Sequence, residues 1–283
     1  MPEAPRFDPD LGAWVLSRYD DVLAALKEPS FLQTGESGIV DAAAQQRARA
    51  DVLAALPLAK LDAWQARITP LALDLLDRLP ADRPVDLVSE FVKPWCNAVA
   101  PIVMEAHLKP LSKGLSETLP SFLANALLDL LRNPVEFARL RAELELMPRA
   151  VEELLRHAGL VHTLARTATA DVDLGGIRIP SGDRVILKLA AANHDPDRFP
   201  EARELDVTRK SGGHVALGAG PHSCAGALVV RMATAVVTGA FTGKFAAAEL
   251  AGPVEWHQGS TLASPRSLPA ILPRGAGDRP TPG

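Results

Sequence analysis

Only two cysteines, Cys96 and Cys224, occur in 283 residues, and they lie far apart in unlike surroundings. That count excludes a disulfide framework and a cysteine-based zinc site. No run of about 18 apolar residues passes without a charge, so no membrane-spanning helix is expected. The opening Met1-Pro-Glu-Ala-Pro-Arg-Phe-Asp lacks a basic patch leading into an apolar stretch, and a cytoplasmic location is expected. Long runs of one charge are also missing: the formal charge is -4 with acids and bases interleaved. This argues against nucleic acid or an anionic membrane as partner and leaves small molecules. No internal repeat is visible.

What is present is enough apolar material, 47% of the chain, to bury one substantial core. The reading is a single domain over residues 1–283, mainly α with a small β-rich corner, and a frayed tail from about 273. Ala13 to Arg18 reads as a strand and Tyr19 to Lys27 as a helix capped by Asp20. Gln33 to Asp41 reads as a loop, and Ala42 to Leu79 as helix divided at Pro57 and Pro70. Val85 to Met104 is helical with breaks at Pro94 and Pro101, and Glu117 to Leu131 is an apolar helix stopped by Asn133-Pro134. From Val172 to Leu187 the pattern alternates around Gly175-Gly176 and Ser181-Gly182, as hairpin strands do. Val254 to Leu272 closes the chain as a strand pair.

Leu217-Gly-Ala-Gly-Pro-His-Ser-Cys224-Ala-Gly226 places a cysteine between a glycine-rich loop and the apolar helix Ala227 to Phe241. Glycines allow close approach of a flat ring, while loop amides and a helix N-terminus stabilise a thiolate. Taken alone, the segment also suits a structural cysteine buried in a turn. A second motif, Glu153-Leu-Leu-Arg156, by itself reads equally as a surface ion pair. Between the two stand Arg166-x-x-x-x-Asp-Val-Asp-Leu-Gly-Gly-x-x-Ile-Pro-x-Gly and Ala190-Ala-Ala-Asn-His-Asp-Pro-Asp-Arg-Phe-Pro.

In combination these stretches resemble the bacterial branch of the cytochrome P450 superfamily. The cysteine segment matches its Phe-x-x-Gly-x-x-x-Cys-x-Gly signature except at Leu217. The resemblance implies haem b (iron protoporphyrin IX) with Cys224 as iron ligand, Leu217, Gly218 and Gly226 forming the ring's seat, and Glu153 with Arg156 as a structural ion pair. It further implies propionate partners at Arg49, Arg166 and His222. The histidine that usually precedes the first of these by four residues is here Gln45, and Arg49 by itself also reads as a surface charge. A third arginine of the family's charged cluster is displaced to Arg203, with Glu204 in its place.

Gly114-Leu-Ser-Glu-Thr-Leu119 resembles the family's oxygen-activating segment, which assigns Glu117 and Thr118 to proton relay. The same residues also spell an ordinary helix cap. The resemblance runs from Phe7 to about Met104 and again from Gly114. About a hundred residues of a usual member, a length above the single-domain prior, are absent between those points, including the helices that roof the substrate pocket. Three functions follow from the resemblance: a monooxygenase of a bulky apolar natural-product intermediate, fed by a ferredoxin-type reductant and closed by a homodimer partner or by rearranged loops; a redox-neutral cyclase or isomerase; or a non-catalytic helper of a partner enzyme. Substrate contacts are expected from Leu32 to Val40, Leu160 to Leu164 and Leu262 to Ser264. Cys96, beside Trp95, reads as a small buried hydrophobe.

Overall fold

A computed structural model describes residues 2–35, 38–39, 42–56, 58–80, 83–104, 111–210, 212–257 and 262–273. Nine helices and thirteen short strands occur among them. The chain opens with β1 (Arg6–Asp8), β2 (Ala13–Leu16), α1 (Tyr19–Lys27), β3 (Phe31–Gly35) and β4 (Gly38–Ile39). Helices α2 (Ala42–Ala54), α3 (Leu58–Arg78) and α4 (Lys93–Met104) follow, with β5 (Val85–Asp86) between the last two. After Leu111 come α5 (Leu119–Arg132), α6 (Pro134–Ala142) and α7 (Met147–His157). The β-rich corner comprises β6 (Thr163–Ala168), β7 (Val172–Leu174), β8 (Ile177–Ile179) and β9 (Arg184–Lys188). It leads through α8 (Leu189–Asn193) to α9 (Ala227–Lys244) and the closing strands β10 (Glu249–Leu250), β11 (Glu255–Trp256), β12 (Pro265–Ser267) and β13 (Pro269–Ile271).

Two apolar clusters hold these parts. The larger joins α3, α4, α5, α7 and α9 through Ile68, Trp95, Leu123, Leu127, Leu154 and Phe241, all fully or nearly fully buried. The smaller lies between α1 and the sheet ordered β1-β2-β9-β6-β3-β4, through Leu16, Val22, Phe31, Val185 and Leu187. Helix α5 is buried along most of its length because apolar residues occupy nearly all its positions, so it runs through the interior rather than along a surface.

Several elements depart from the sequence expectations for identifiable reasons. Pro70 lies inside α3 and Pro101 inside α4 without dividing either helix. Ile68, Ala72 and Leu76 are wholly buried on α3, and that packing outweighs one lost backbone bond. Pro94 does not break the chain of turns either: a turn of π-helix, Val88–Val92, runs directly into α4 with the Lys93 amide bonded to Val88 O. Pro57 lies outside the described residues. Part of the expected loop at Gln33 is strand, because β3 pairs antiparallel with β6, Gln33 opposite Arg166. Asp20 does not cap α1; the Asp195 carboxylate does, accepting from the Tyr19 amide at 2.8 Å. Cys96 is buried beside Trp95 as read, and burial pushes its thiol up to about 12.

Candidate functional site

The cysteine loop is fastened before any side chain acts. The Cys224 amide donates to Leu217 O at 2.7 Å, and Gly218 turns with φ +70°, a conformation costly for any residue with a Cβ. A Cβ on Gly226 would lie 3.3 Å from Leu111 and 4.0 Å from Cys224 Sγ, so glycine keeps the space beside the sulfur clear. Leu217, Gly218, Cys224 and Gly226 line one side of an apolar cleft of about 290 Å³. Thr118, Leu119 and Phe122 line the other side, and Leu160, Val161 and Leu164 part of the wall. Burial pushes the Cys224 thiol up, against an opposing hydrogen bond from Gly226 and the charges of Arg49 and Arg231.

Cationic groups gather at one edge of this cleft. Arg166, on β6, is 4% exposed, and among the described residues its only side-chain hydrogen bond is to the carbonyl of Ala165 at 2.8 Å. No carboxylate pairs with it among the described residues, and burial pushes its guanidinium below the usual range. Arg49 donates to Ser223 O and, at 2.8 Å, to Ser223 Oγ, which brings helix α2 onto the cysteine loop. His222 lines the cleft, and burial together with the charges of Arg166 and Arg49 pushes its imidazole down. A desolvated guanidinium without an anion is expensive. The site therefore fits a flat apolar ring carrying acidic groups on one edge, with a thiolate beneath it: Cys224 as ligand, Leu217, Gly218 and Gly226 as seat, Arg166, His222 and Arg49 toward the carboxylates.

Glu117 and Thr118 part company. They stand in a turn of π-helix, Gly114–Thr118, that continues into α5 without a side-chain cap, so the helix does not begin at Thr118. Such widened turns recur at functional sites. Thr118 lines the cleft, and its hydroxyl has no hydrogen-bond partner among the described residues. Glu117 instead lines a separate cleft of about 230 Å³ with Lys93, Ser116 and His257. Of the expected substrate stretches, Leu160, Val161 and Leu164 line the main cleft. Leu262 to Ser264 lies behind that wall, bridged to it at Val161 and Leu262. Leu32 to Val40 is described only in part, as residues 36, 37 and 40 lie outside the described residues.

The ion pair is wholly buried. Glu153 and Arg156 are each 0% exposed and meet through two bonds of 2.7 and 2.8 Å, while Arg156 also donates to the carbonyls of Asn193, Ala202 and Glu204. The third arginine is Arg209, whose Nε reaches Glu153 at 3.1 Å; Arg203 is exposed and contributes only its carbonyl, to His157. Three further residues escaped the sequence reading. Glu152 accepts from Arg231 at 2.6 Å and meets His214 at 3.2 Å; burial alone would raise its carboxyl, but these partners take it to about 2. Neighbouring glutamates of one helix thus fasten two different segments. The doublet Glu152-Glu153 is the one sequence signal that hints at this.

His157 meets Asp129 at 2.6 Å through Nδ1 and the Arg203 carbonyl at 2.9 Å through Nε2. Both partners accept, so the ring satisfies both only as imidazolium. Burial opposes that charge, but Asp129 outweighs it and the pKa lies above the ordinary 6.5. A raised folded pKa stabilises fully below the unfolded value and ceases to as pH climbs through the folded one. Relative to His157→Gln, the wild type is expected to show its full stability advantage below pH 6.5 and to lose part of it above. Urea midpoints of both proteins across pH check this; a pH-independent difference excludes the imidazolium.

The cytochrome P450 family profile matches residues 116–248. Cytochrome P450 CYP199A2 of Rhodopseudomonas palustris is 44% identical over 173 residues, 61% of this chain and 41% of that protein. Against this and two further bacterial relatives, the chain spans 38–53% of their length. Cytochrome P450 107B1 of Saccharopolyspora erythraea is 28% identical over 334 aligned positions, covering 83% of this chain and 82% of that one. A chain of 283 residues cannot fill 334 positions, so the alignment carries gaps on this side. The tirandamycin C-bound structure of the P450 monooxygenase TamI superposes with a TM-score of 0.79 at 26% identity, over 92% of this chain and 90% of that one. Sequence shared across residues 116–248 and backbone shared over nearly the whole chain lead to one conclusion: this chain is similar to the bacterial members of the cytochrome P450 superfamily and shorter than the relatives it matches.

Proposed function

We propose that the protein is a haem-thiolate monooxygenase of an apolar small molecule, supplied with electrons by a ferredoxin-type protein. The observation that carries this is a single apolar cleft shared by Cys224 and Thr118. Bound between them, haem supplies the dioxygen and electron chemistry. The chain's own contributions are separable. Cys224 would hold the ring by its iron, Arg166 and His222 would neutralise its acidic groups, and the leucines of the wall exclude water and select apolar surface. The free hydroxyl of Thr118 faces the place where a proton is needed and can pass one on. A natural-product substrate is supported by relatives such as the tirandamycin C-bound monooxygenase.

One observation favours a second reading. Glu117 faces away from the cleft, and Leu119-Pro120 follow Thr118, so the acid and alcohol do not stand together above the cysteine. On that reading the scaffold performs a redox-neutral cyclisation or isomerisation. Turnover of apolar candidates with and without oxygen separates the two. In the monooxygenase, Thr118→Ala is expected to lower product formed per oxygen consumed by about 10²-fold, the low end for a proton-transferring group. Unchanged turnover in that variant, or turnover without oxygen, supports the redox-neutral reaction.

A further inference from the structure

Asn125 lies on α5 on the same helical face as Thr118 and Phe122, two turns beyond the first and one beyond the second, but it does not line the cleft. It is 8% exposed. Its Nδ2 donates to Ala158 O at 3.2 Å and to Ala263 O at 2.8 Å. Both partners are carbonyls, so the nitrogen must be the atom that faces them, and both of its protons are used. The Oδ1 is buried with no hydrogen-bond partner among the described residues.

The two carbonyls belong to the segments that make and back the cleft wall. Ala158 ends α7 and leads into Leu160, Val161 and Leu164. Ala263 lies in the segment behind them, joined by the Val161 to Leu262 bridge and by the Ala263 amide donating to Leu160 O at 3.4 Å. The wall is thus stitched to itself by backbone. Asn125 stitches it to the helix that carries Thr118.

A leucine at this position would fill the space and remove the bare Oδ1 but leave the Ala158 and Ala263 carbonyls without this donor, so the amide is there for its two bonds rather than for packing. What the amide adds is two directed bonds that fix the distance from α5 to the wall. We propose that Asn125 is a positioning residue that sets the width of the cleft between Thr118 and Leu160, and thereby the bulk of the molecule accepted. The inference rests on the haem-bearing cleft proposed above and adds its specificity control.

The test uses the haem-loaded full chain and two azoles that bind haem iron, imidazole and 4-phenylimidazole, titrated by the shift of the main absorption band. Asn125→Leu is expected to leave the imidazole Kd within about twofold and to weaken 4-phenylimidazole by about tenfold or more, as a wall displaced by a fraction of an ångström would. Equal effects on both azoles, or none on either, overturn the proposal. If Asn125→Leu does not fold, Asn125→Ser decides by the same pair of titrations, since its hydroxyl is too short to hold both carbonyls. A wild type that takes up haem but shows no azole-dependent shift, or takes up no haem, removes the proposed function and this inference with it. A wild type that titrates normally leaves the proposed function standing whatever the variants show.

Discussion

Cys224→Ala is expected to abolish the red-shifted absorption of the reduced carbon monoxide complex while leaving the chain folded. Among the described residues the sulfur is the only one that lines the cleft, and Cys96 is no substitute, being buried in the α4 packing with its thiol pushed up to about 12. The loop keeps its shape without the sulfur because its fastenings are backbone: Cys224 N to Leu217 O, and Arg49 to Ser223 O. Removing a half-buried thiol that lines an open cleft costs about 1 kcal/mol or less of stability. Reduced carbon monoxide spectra and thermal melts of both proteins make the comparison. A red-shifted band surviving in the variant contradicts the ligand assignment; a variant that unfolds while the wild type shows no haem signature contradicts the site altogether.

The largest loss of stability is expected from Arg156→Ala. It leaves the Glu153 carboxylate at 0% exposure without its bidentate partner, Arg209 still beside it, and it strips the carbonyls of Asn193 and Ala202 of their donor, while Glu204 O keeps only a long bond of 3.5 Å from Arg209. Breaking a buried pair from one side costs about 3–5 kcal/mol, a large part of the 5–15 kcal/mol that holds a typical domain together. Arg156→Lys recovers little, because an ammonium cannot grip the carboxylate at two points and reach the carbonyls as well. Arg203→Ala, by contrast, is expected within about 0.5 kcal/mol of wild type, since that side chain is exposed. Urea midpoints of the three variants check the ranking, and an Arg156→Ala protein as stable as wild type refutes it.

The cysteine loop was legible because its chemistry is written locally: glycines, a histidine and a cysteine at fixed spacing before an apolar helix. The ion pair was legible for the same reason, being one helical turn. What could not be read was anything decided by distant partners. Arg209 rather than Arg203 completes the cluster because the Asp206 amide between them donates to Glu153 at 3.1 Å, carrying the later arginine onto the same carboxylate. Asp195 rather than Asp20 caps α1 because a residue far along the chain is brought to its N-terminus. Pro70 and Pro101 misled because local propensity is weak against a buried helix face. Asn125 offered no pattern at all; a lone amide in an apolar helix declares its purpose only when its two carbonyls are seen.

Among the described residues, the side chains that bond the cysteine loop and its flanks stand on chain that lies before Met104 or after Leu111. Arg49 reaches Ser223 from one side of that junction; Glu152, through Arg231 and His214, acts from the other. The junction is thus an address at which chain length is decoupled from ligand geometry. Loop closure grows only with the logarithm of length, about 0.6 kcal/mol for each doubling. Segments of different size, including whole helices taken from longer relatives, can be spliced there as interchangeable roofs while the thiolate floor stays as it is.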